Sequence, residues 1–383
     1  KISEDGLFST LNKVQNKLNL PIELGYSTCS EVIETSSSKL KVGDLVVTNG
    51  PHADYSLVKN NLCIKVENLN IDKKYLSYSF IASISINAFV ISQVKYGHKV
   101  GVIGLGIIGV LLSKFTISEL INVTSFDISN EKVNHYKDEL NSIKIEKDLK
   151  NIDANFKNTF DVIYLCVENI TSLLFYRSCE LLKKNNKLII VGTTKAIFPR
   201  DIIYKKNLDI KVSVSYGPGR YDDKFELGED DDYIKQFNHS YLDNIKMFID
   251  KLNNNKIHLD NVISQDFNFN DFEEAYESLM NNSTKGIIFN YRNMSSLTPQ
   301  RKFEEKIILD KQNYNCDILG TGNHSANIII PKLIEQKDIK IANLVSKNGI
   351  SSNFINESLN LQANLCSIDE VCNNKYKENY LFI

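Results

Sequence analysis

The spacing of apolar positions changes several times along this chain, and each change marks an element. Leu7, Leu11, Val14 and Leu18 recur at intervals of three and four, the stripe of an amphipathic packing helix that Pro21 closes. Over residues 22–66 the pattern shortens to β-rich runs at 31–34 and 44–47, punctuated by Gly25, Gly43 and Gly50-Pro51, which predicts a small β unit. Residues 72–93 mix Ser, Ile, Ala and Phe and predict a buried helical connection. A different architecture starts at Lys99. An apolar strand over 100–103 runs into a glycine turn over 104–109 and then a helix over 110–120. Strands follow at 122–126, 161–166 and 187–191, a βαβ series on a parallel sheet.

After Ser215 the pattern gives a polar loop at 216–221 and an acidic run at 229–232, best read as solvated. A helix over 241–252, a strand over 261–267, a helix over 272–280 and a strand over 286–291 close that unit. Residues 292–312 read as a linker with a short helix. The strand-glycine-helix theme then returns. A strand over 315–319 leads into Gly320-Thr321-Gly322-Asn323-His324-Ser325, a helix over 326–334 despite Pro331, and a strand over 340–345. This lies too far along the chain to be the second half of one dinucleotide fold, so it reads as a second nucleotide unit.

At 383 residues the chain exceeds one ordinary core, and two or three folding units are expected. Lys plus Arg total 45 against 47 for Asp plus Glu, a net charge of −2, which provides no field for nucleic acid or an anionic membrane surface. The longest apolar stretch is interrupted by glycines and too short to span a bilayer. Seven cysteines without a C-x-x-C pair argue against a disulfide framework or a zinc knuckle and fit a reducing cytoplasm. The start at Lys1 and the strand-like end at residues 380–383 lead us to expect a fragment at both ends.

The chemistry concentrates in the first glycine turn. Gly104-x-Gly106-x-x-Gly109 follows a strand and opens a helix, the context in which backbone N–H groups at the helix N-terminus take up a pyrophosphate. Asp127 ends the next strand about 20 residues further on, where a carboxylate accepts from a ribose 2′-OH and repels a 2′-phosphate. This favours NAD over NADP. In the second motif Ser325 replaces the third glycine, and the second strand ends at Ser346-Lys347 without a carboxylate. That pair is either a 2′-phosphate acceptor, which would admit NADP, or ordinary surface. Six histidines stand isolated and offer no zinc motif. His52 and Tyr55, in Gly50-Pro51-His52-Ala53-Asp54-Tyr55, are either proton-handling or structural, and Cys166 and Cys179 read as small buried apolar residues.

Five segments together carry a resemblance: Leu24-Gly25-Tyr26-Ser27, Lys41-Val42-Gly43-Asp44, His52-Ala53-Asp54-Tyr55, the glycine turn Gly104-Leu105-Gly106-Ile107-Ile108-Gly109, and Ser215-Tyr216-Gly217-Pro218-Gly219-Arg220-Tyr221-Asp222. The chain resembles bacterial two-domain oxidoreductases in which a medium-chain, zinc-type alcohol-dehydrogenase-like unit is fused to a Gfo/Idh/MocA-like unit. The stretch Gly320 to His324 with Pro331-Lys332-Leu333 is similar to the opening of the second unit.

The resemblance implies an α/β architecture: a GroES-like catalytic domain over 1–95, a Rossmann domain over 96–215, a return to the catalytic domain over 216–293, a linker over 294–312 and a partial Gfo/Idh/MocA-like nucleotide domain over 313–383. Cofactor contacts carry over to Gly104, Leu105, Gly106, Ile107, Ile108, Gly109 and Asp127. They carry over also to Cys166, Val167, Gly192 and Thr193 at later strand ends and to Gly320, Gly322, Asn323 and His324 in the second unit. Catalytic roles fall to His52, Tyr55, Tyr216 and Arg220. Zinc-using relatives carry a Cys, a His-Glu pair and a four-cysteine lobe. Here Gly50 runs through His52 and Tyr55 into a strand over 56–64 with no space for that lobe, so no zinc is expected.

The implied function is metal-independent hydride transfer between a nicotinamide and a carbonyl or alcohol on a small molecule, by association a sugar or nucleotide-sugar in surface-polysaccharide synthesis. A homodimer through Rossmann edge strands is common among such relatives. Two other readings stand beside this one: a non-catalytic NAD(H)-binding or sensing module, and a zinc-free quinone or enone reductase, whose NADPH preference Asp127 opposes.

Overall fold

The computed structural model describes residues 23–67, 70–152, 154–229, 239–281, 286–291, 314–322, 324–336, 339–347, 349–373 and 380–382. The helix expected over 7–18, the linker over 292–312 and most of the acidic run at 229–232 lie outside the described residues. Two compact units emerge, one within Leu24–Ser296 and one within Leu297–Ile383.

The first unit opens on a three-stranded antiparallel sheet, β1 (Thr28–Glu31), β2 (Leu45–Thr48) and β3 (Cys63–Lys65), with Val47 opposite both Cys29 and Ile64. The expected strand over 56–64 is corrected to Cys63–Lys65. Asn60–Leu62 instead forms a 3-10 turn, because the Asn60 and Asn61 side chains donate to the carbonyls of Leu227 and Phe225. Helix α1 (Ser79–Ser92) then crosses to the larger sheet, its serines donating back to its own or neighbouring backbone, as Ser83 does to the Phe80 carbonyl.

Six parallel strands form the larger sheet: β4 (Lys99–Ile103), β5 (Asn122–Asp127), β6 (Ser142–Lys144), β7 (Phe160–Leu165), β8 (Leu182–Val191) and β9 (Asp209–Ser213). Their spatial order is β6-β5-β4-β7-β8-β9. The chain therefore runs outward from β4 to one edge and returns to build the other half, and the order reverses between β4 and β7. Such a switch point leaves a crevice at the carboxyl ends of the strands, where ligands bind. The central strands β4 and β7 and the second half of β8 are nearly continuous apolar runs because both of their faces are covered. Val100, Val102, Tyr164 and Ile189 pack on one face, and Ile103, Ile163, Leu165 and Leu188 on the other.

Helix α2 (Ile107–Ser118) begins directly after Gly106, three residues earlier than the pattern predicts. Helix α3 (Asp223–Leu227) and helix α4 (Tyr241–Asn253) follow the large sheet, and Ser240 caps α4 through a reciprocal capping box with Asp243. A βαβ segment closes the unit: β10 (Ile263–Asn268), helix α5 (Phe272–Asn281) and β11 (Gly286–Asn290), with the strands parallel. It returns to the small sheet, since Phe289 of β11 meets the His52 ring edge-on at 4.9 Å.

The second unit holds four parallel strands, β12 (Tyr314–Leu319), β13 (Ile339–Val345), β14 (Asn364–Cys366) and β15 (Tyr380–Phe382), in the order β14-β13-β12-β15. The single helix expected over 326–334 is two. Pro331 has no N–H to donate, so Ser325–Ile329 winds as a π-helix and an α-helix restarts over Ile330–Ile334 with the proline in its first turn. No helix among the described residues is long and apolar enough to cross a membrane.

Candidate active site

The glycine turn is built for close approach. Gly104 adopts φ +103°, and its N–H donates to the Phe126 carbonyl at 2.7 Å, tying the turn to the end of β5. A Cβ at Gly104 would stand 2.4 Å from the Cys166 carbonyl oxygen. One at Gly109 would stand 1.9 Å from the Gly104 carbonyl oxygen, so α2 sits against the turn only because position 109 has no side chain. Gly106 differs, because nothing lies within 4 Å of where its Cβ would be. It faces open space at the start of α2, and no side chain caps that helix. The free first-turn N–H groups of a 12-residue helix, the positive end of its dipole and a bare backbone at Gly106 together suit an anionic pyrophosphate.

Asp127 ends β5 beside this turn and is 7% exposed. Its Oδ2 accepts from the Leu105 N–H at 2.6 Å and its Oδ1 from the Ser129 N–H at 2.8 Å. Each oxygen keeps acceptor capacity for a hydroxyl, and the carboxylate is held where a phosphate would meet like charge. Leu105 itself is buried, and Ile107 and Ile108 are half-buried in the first turn of α2. The Ile108 carbonyl accepts from Ser85 of α1 at 2.8 Å. The structure thus brings Gly104 to Gly109 and Asp127 into one constellation.

Cys166 and Val167 lie just past β7 and against Gly104, across the switch point. Burial pushes the Cys166 thiol up to about 12, so it is no nucleophile. Gly192, at φ +95°, and Thr193 follow β8 and are exposed at its carboxyl end.

The four residues expected to be catalytic are dispersed. His52 packs its ring over Gly25 and against Phe289, and burial lowers its pKa. Tyr55 is 59% exposed. Tyr216 is buried with its ring edge-on to Phe80 at 5.3 Å, and its hydroxyl donates to the Tyr26 carbonyl at 3.4 Å. Burial raises its pKa well above the ordinary tyrosine value. Arg220 lies over the Tyr221 ring at 4.3 Å and is ion-paired to Glu226. Sequence reasoning passes over Glu226, which is 2% exposed and also accepts from Lys59 Nζ at 2.7 Å and the Tyr221 N–H at 2.9 Å. It passes over Tyr26 as well, whose ring stands 6.4 Å from that of Tyr216.

In the second unit Gly320 adopts φ +113°, and its N–H donates to the Val345 carbonyl at 2.9 Å. Gly322 faces open space and His324 is exposed at the start of the π-helix. Asn323 lies outside the described residues. Among the described residues no three His, Cys, Asp or Glu side chains converge, so the donor set of a catalytic zinc is not assembled there.

No family model and no curated protein matches the chain. Its fold does match solved structures. Galactitol-1-phosphate dehydrogenase from Escherichia coli is 16% identical, with 70% of this chain and 84% of that one covered at a TM-score of 0.57. The 2R,3R-butanediol dehydrogenase of Bacillus subtilis is 16% identical over 70% and 81%, with a TM-score of 0.54. S. aureus TarJ, solved in complex with NADPH, is 16% identical over 74% and 84%, with a TM-score of 0.55. The first unit therefore has the medium-chain dehydrogenase fold, a GroES-like part joined to a Rossmann sheet.

Proposed function

We propose that the chain is a nicotinamide-dependent oxidoreductase of the medium-chain type that transfers hydride between the cofactor and an alcohol or carbonyl of a small polyol- or sugar-like molecule. The observation that carries this is the constellation of Gly104, Gly106 and Gly109 with Asp127 at the switch point of a sheet ordered like the dinucleotide fold. The dehydrogenases that share the fold, and the NADPH bound to one of them, agree with it.

The residues present would hold a dinucleotide as follows. The start of α2 receives the pyrophosphate, Asp127 the adenosine ribose, and Cys166, Val167, Gly192 and Thr193 border the path along the strand ends toward the nicotinamide. The bound cofactor supplies hydride chemistry, and the protein contributes position and electrostatics. Tyr216 and Arg220 follow the carboxyl end of β9 and frame the nicotinamide side, with His52 and Tyr55 contributed by the GroES-like part. Tyr216 and Arg220 are held in packing and in an ion pair, which suits them to shaping that wall more than to moving a proton. Hydride transfer proceeds without zinc in this reading. The second unit would be a second dinucleotide fold, which its repeated turn and strand order support, and of the Gfo/Idh/MocA kind by the resemblance alone. Homodimerisation would use β9, an edge strand with Val212 54% exposed and Val214, just past its end, 60% exposed.

Titration of NADH fluorescence against the full chain tests the reading. Saturable NADH binding that Gly106→Arg abolishes, together with NAD+ reduction driven by at least one member of a panel of diols, hexitols and hexitol phosphates, is the expected result. Folded protein that binds neither NADH nor NADPH sinks it.

A further inference from the structure

Buried polar atoms without a partner are rare in folded proteins, and each one calls for a physical reason. Two of them, Arg220 Nε and Asn87 Oδ1, belong to the loop over residues 214–222 and to its support, just past the carboxyl end of β9. The backbone of the same loop is strained. Ser215 adopts φ +46° and Tyr221 +70°, with Gly217 at +122° and Gly219 at +93° between them. Among the described residues Tyr221 is the only aromatic residue in the left-handed region. Strain of this kind persists only where the surroundings over-determine it. Here Asn87 of α1 donates to Ser213 Oγ at 2.9 Å and to the Val214 carbonyl at 3.3 Å, and Asn244 of α4 donates to the Tyr216 carbonyl at 2.8 Å. The Tyr241 N–H donates to the Pro218 carbonyl at 2.9 Å. The loop is thus pinned in a costly conformation at the end of the sheet where open α/β folds place ligands.

What the loop presents is the guanidinium of Arg220. Two rings fix its plane, Tyr221 at 4.3 Å and Tyr216 at 5.4 Å. Glu226 fixes its rotation by pairing with Nη1, while the Nε edge finds no acceptor among the described residues. Arginine offers its donors in a rigid fork that matches the oxygens of a carboxylate or a phosphate. The charges call for such a group as well. Glu226, 2% exposed, is shared between Arg220 and Lys59, which are 19% and 30% exposed. Asp223 also reaches Lys59 but is 84% exposed, so water screens its charge. The shielded part of the network therefore holds two cations and one carboxylate, beside a donor without an acceptor. A neutral hydroxyl would satisfy the donor alone, whereas an oxyanion satisfies the donor and the charge. The Tyr221 ring, 69% exposed and tied only by a 3.4 Å bond from its hydroxyl to Ser215 Oγ, is the wall that yields to admit it.

We propose that Arg220 selects the substrate by taking an oxyanion of the polyol- or sugar-like molecule, a phosphate monoester or a carboxylate, on its Nε edge. Glu226 acts through Arg220 as a positioning residue. This rests on the reading of the first unit as a nicotinamide-dependent dehydrogenase, and the test separates the two.

Hydrogen exchange of the full chain, read by mass spectrometry over residues 214–228, is the deciding measurement. The probes are glucitol, glucitol 6-phosphate and gluconate, which share a carbon skeleton and differ in charge, at matched ionic strength, with NADH fluorescence titrated in parallel. One of the two anions should slow exchange over this segment at a concentration about tenfold or more below that needed for glucitol, and the better of the two assigns the group as phosphate or carboxylate. Arg220→Lys keeps the charge and loses the fork, so it should weaken the anion's effect about tenfold or more while leaving the responses to glucitol and NADH unchanged. An arginine with a structural role alone would loosen the segment equally whichever probe is present. Equal effective concentrations of glucitol and both anions in the wild type would overturn the proposal, as would no slowing by any of them, or an anion effect that survives Arg220→Lys. Protection by an anion in a chain that binds no NADH would instead remove the dehydrogenase reading and leave the Arg220 site standing, and NADH binding without anion protection would do the reverse.

Discussion

Glu226 offers the sharpest test of what holds the 216–227 loop in place. Its carboxylate is almost wholly buried and receives Arg220, Lys59 Nζ at 2.7 Å and the Tyr221 N–H at 2.9 Å. Lys59 also reaches Asp223 at 2.6 Å, so the network pins the 216–227 stretch to the segment before β3. Glu226→Gln keeps the shape but turns one acceptor into a donor that must face a cation. Breaking a buried ion pair by removing one partner costs roughly 3–5 kcal/mol. Arg220 and Lys59 retain 19% and 30% exposure, which brings the expected loss to roughly 2–3 kcal/mol. Burial by itself would raise the Glu226 pKa. Lys59, the Tyr221 N–H and Arg220 together outweigh that and hold it below its ordinary 4.5. A depressed folded pKa means that the stabilisation is complete above pH 4.5 and is withdrawn as pH falls through the folded value. Hydrogen exchange read by mass spectrometry over residues 216–228 measures this segment alone. Protection, normalised for intrinsic rate, should fall about 30-fold or more in Glu226→Gln at neutral pH. The wild type should lose that protection on acidification and the variant should not. A change below about twofold at neutral pH, or parallel pH profiles for the two proteins, would refute the argument.

The glycine turn predicts a dissociation of fold from binding. Gly106→Ala should leave thermal stability unchanged while weakening NADH, because its Cβ enters open space, whereas Gly109→Ala should destabilise the first unit outright, since its Cβ meets a backbone oxygen; thermal melts beside NADH titrations decide both. Lys206 Nζ donates to the carbonyls of Cys179, Glu180 and Leu182 at 2.6 to 2.8 Å, capping the helix Ser172–Leu181. Lys206→Met should cost about 1–3 kcal/mol, and an unchanged urea midpoint would show that those bonds add nothing. Val212→Lys should turn a dimer into a monomer in sedimentation velocity if β9 is the interface, and a wild-type chain that is already monomeric would remove that assembly.

What the sequence reveals here follows the range of the interactions involved. A glycine turn, the helix after it and the acid ending the next strand are set by local backbone geometry, so Gly104 to Gly109 and Asp127 are legible as one site before any fold is known. The parallel sheet is legible for the same reason, because strands buried on both faces must be apolar throughout. The loop 215–222 is the opposite case. Its Gly-Pro-Gly-Arg-Tyr composition reads as solvent-facing and reactive, yet Tyr216 is buried on Phe80 and Arg220 is committed to Glu226. The first outcome depends on Phe80 of α1 and the second on Glu226, itself held by Lys59, and Phe80 and Lys59 are remote along the chain from the loop they fix. The shortening of β3 has the same origin, since Asn60 and Asn61 turn toward the carbonyls of Phe225 and Leu227 rather than continuing a strand. In the proposed site, the half suited to phosphate chemistry is therefore written locally, and the half proposed for substrate recognition is written in long-range contacts. This is why cofactor class can be argued from residues while the alcohol or carbonyl must be found by assay.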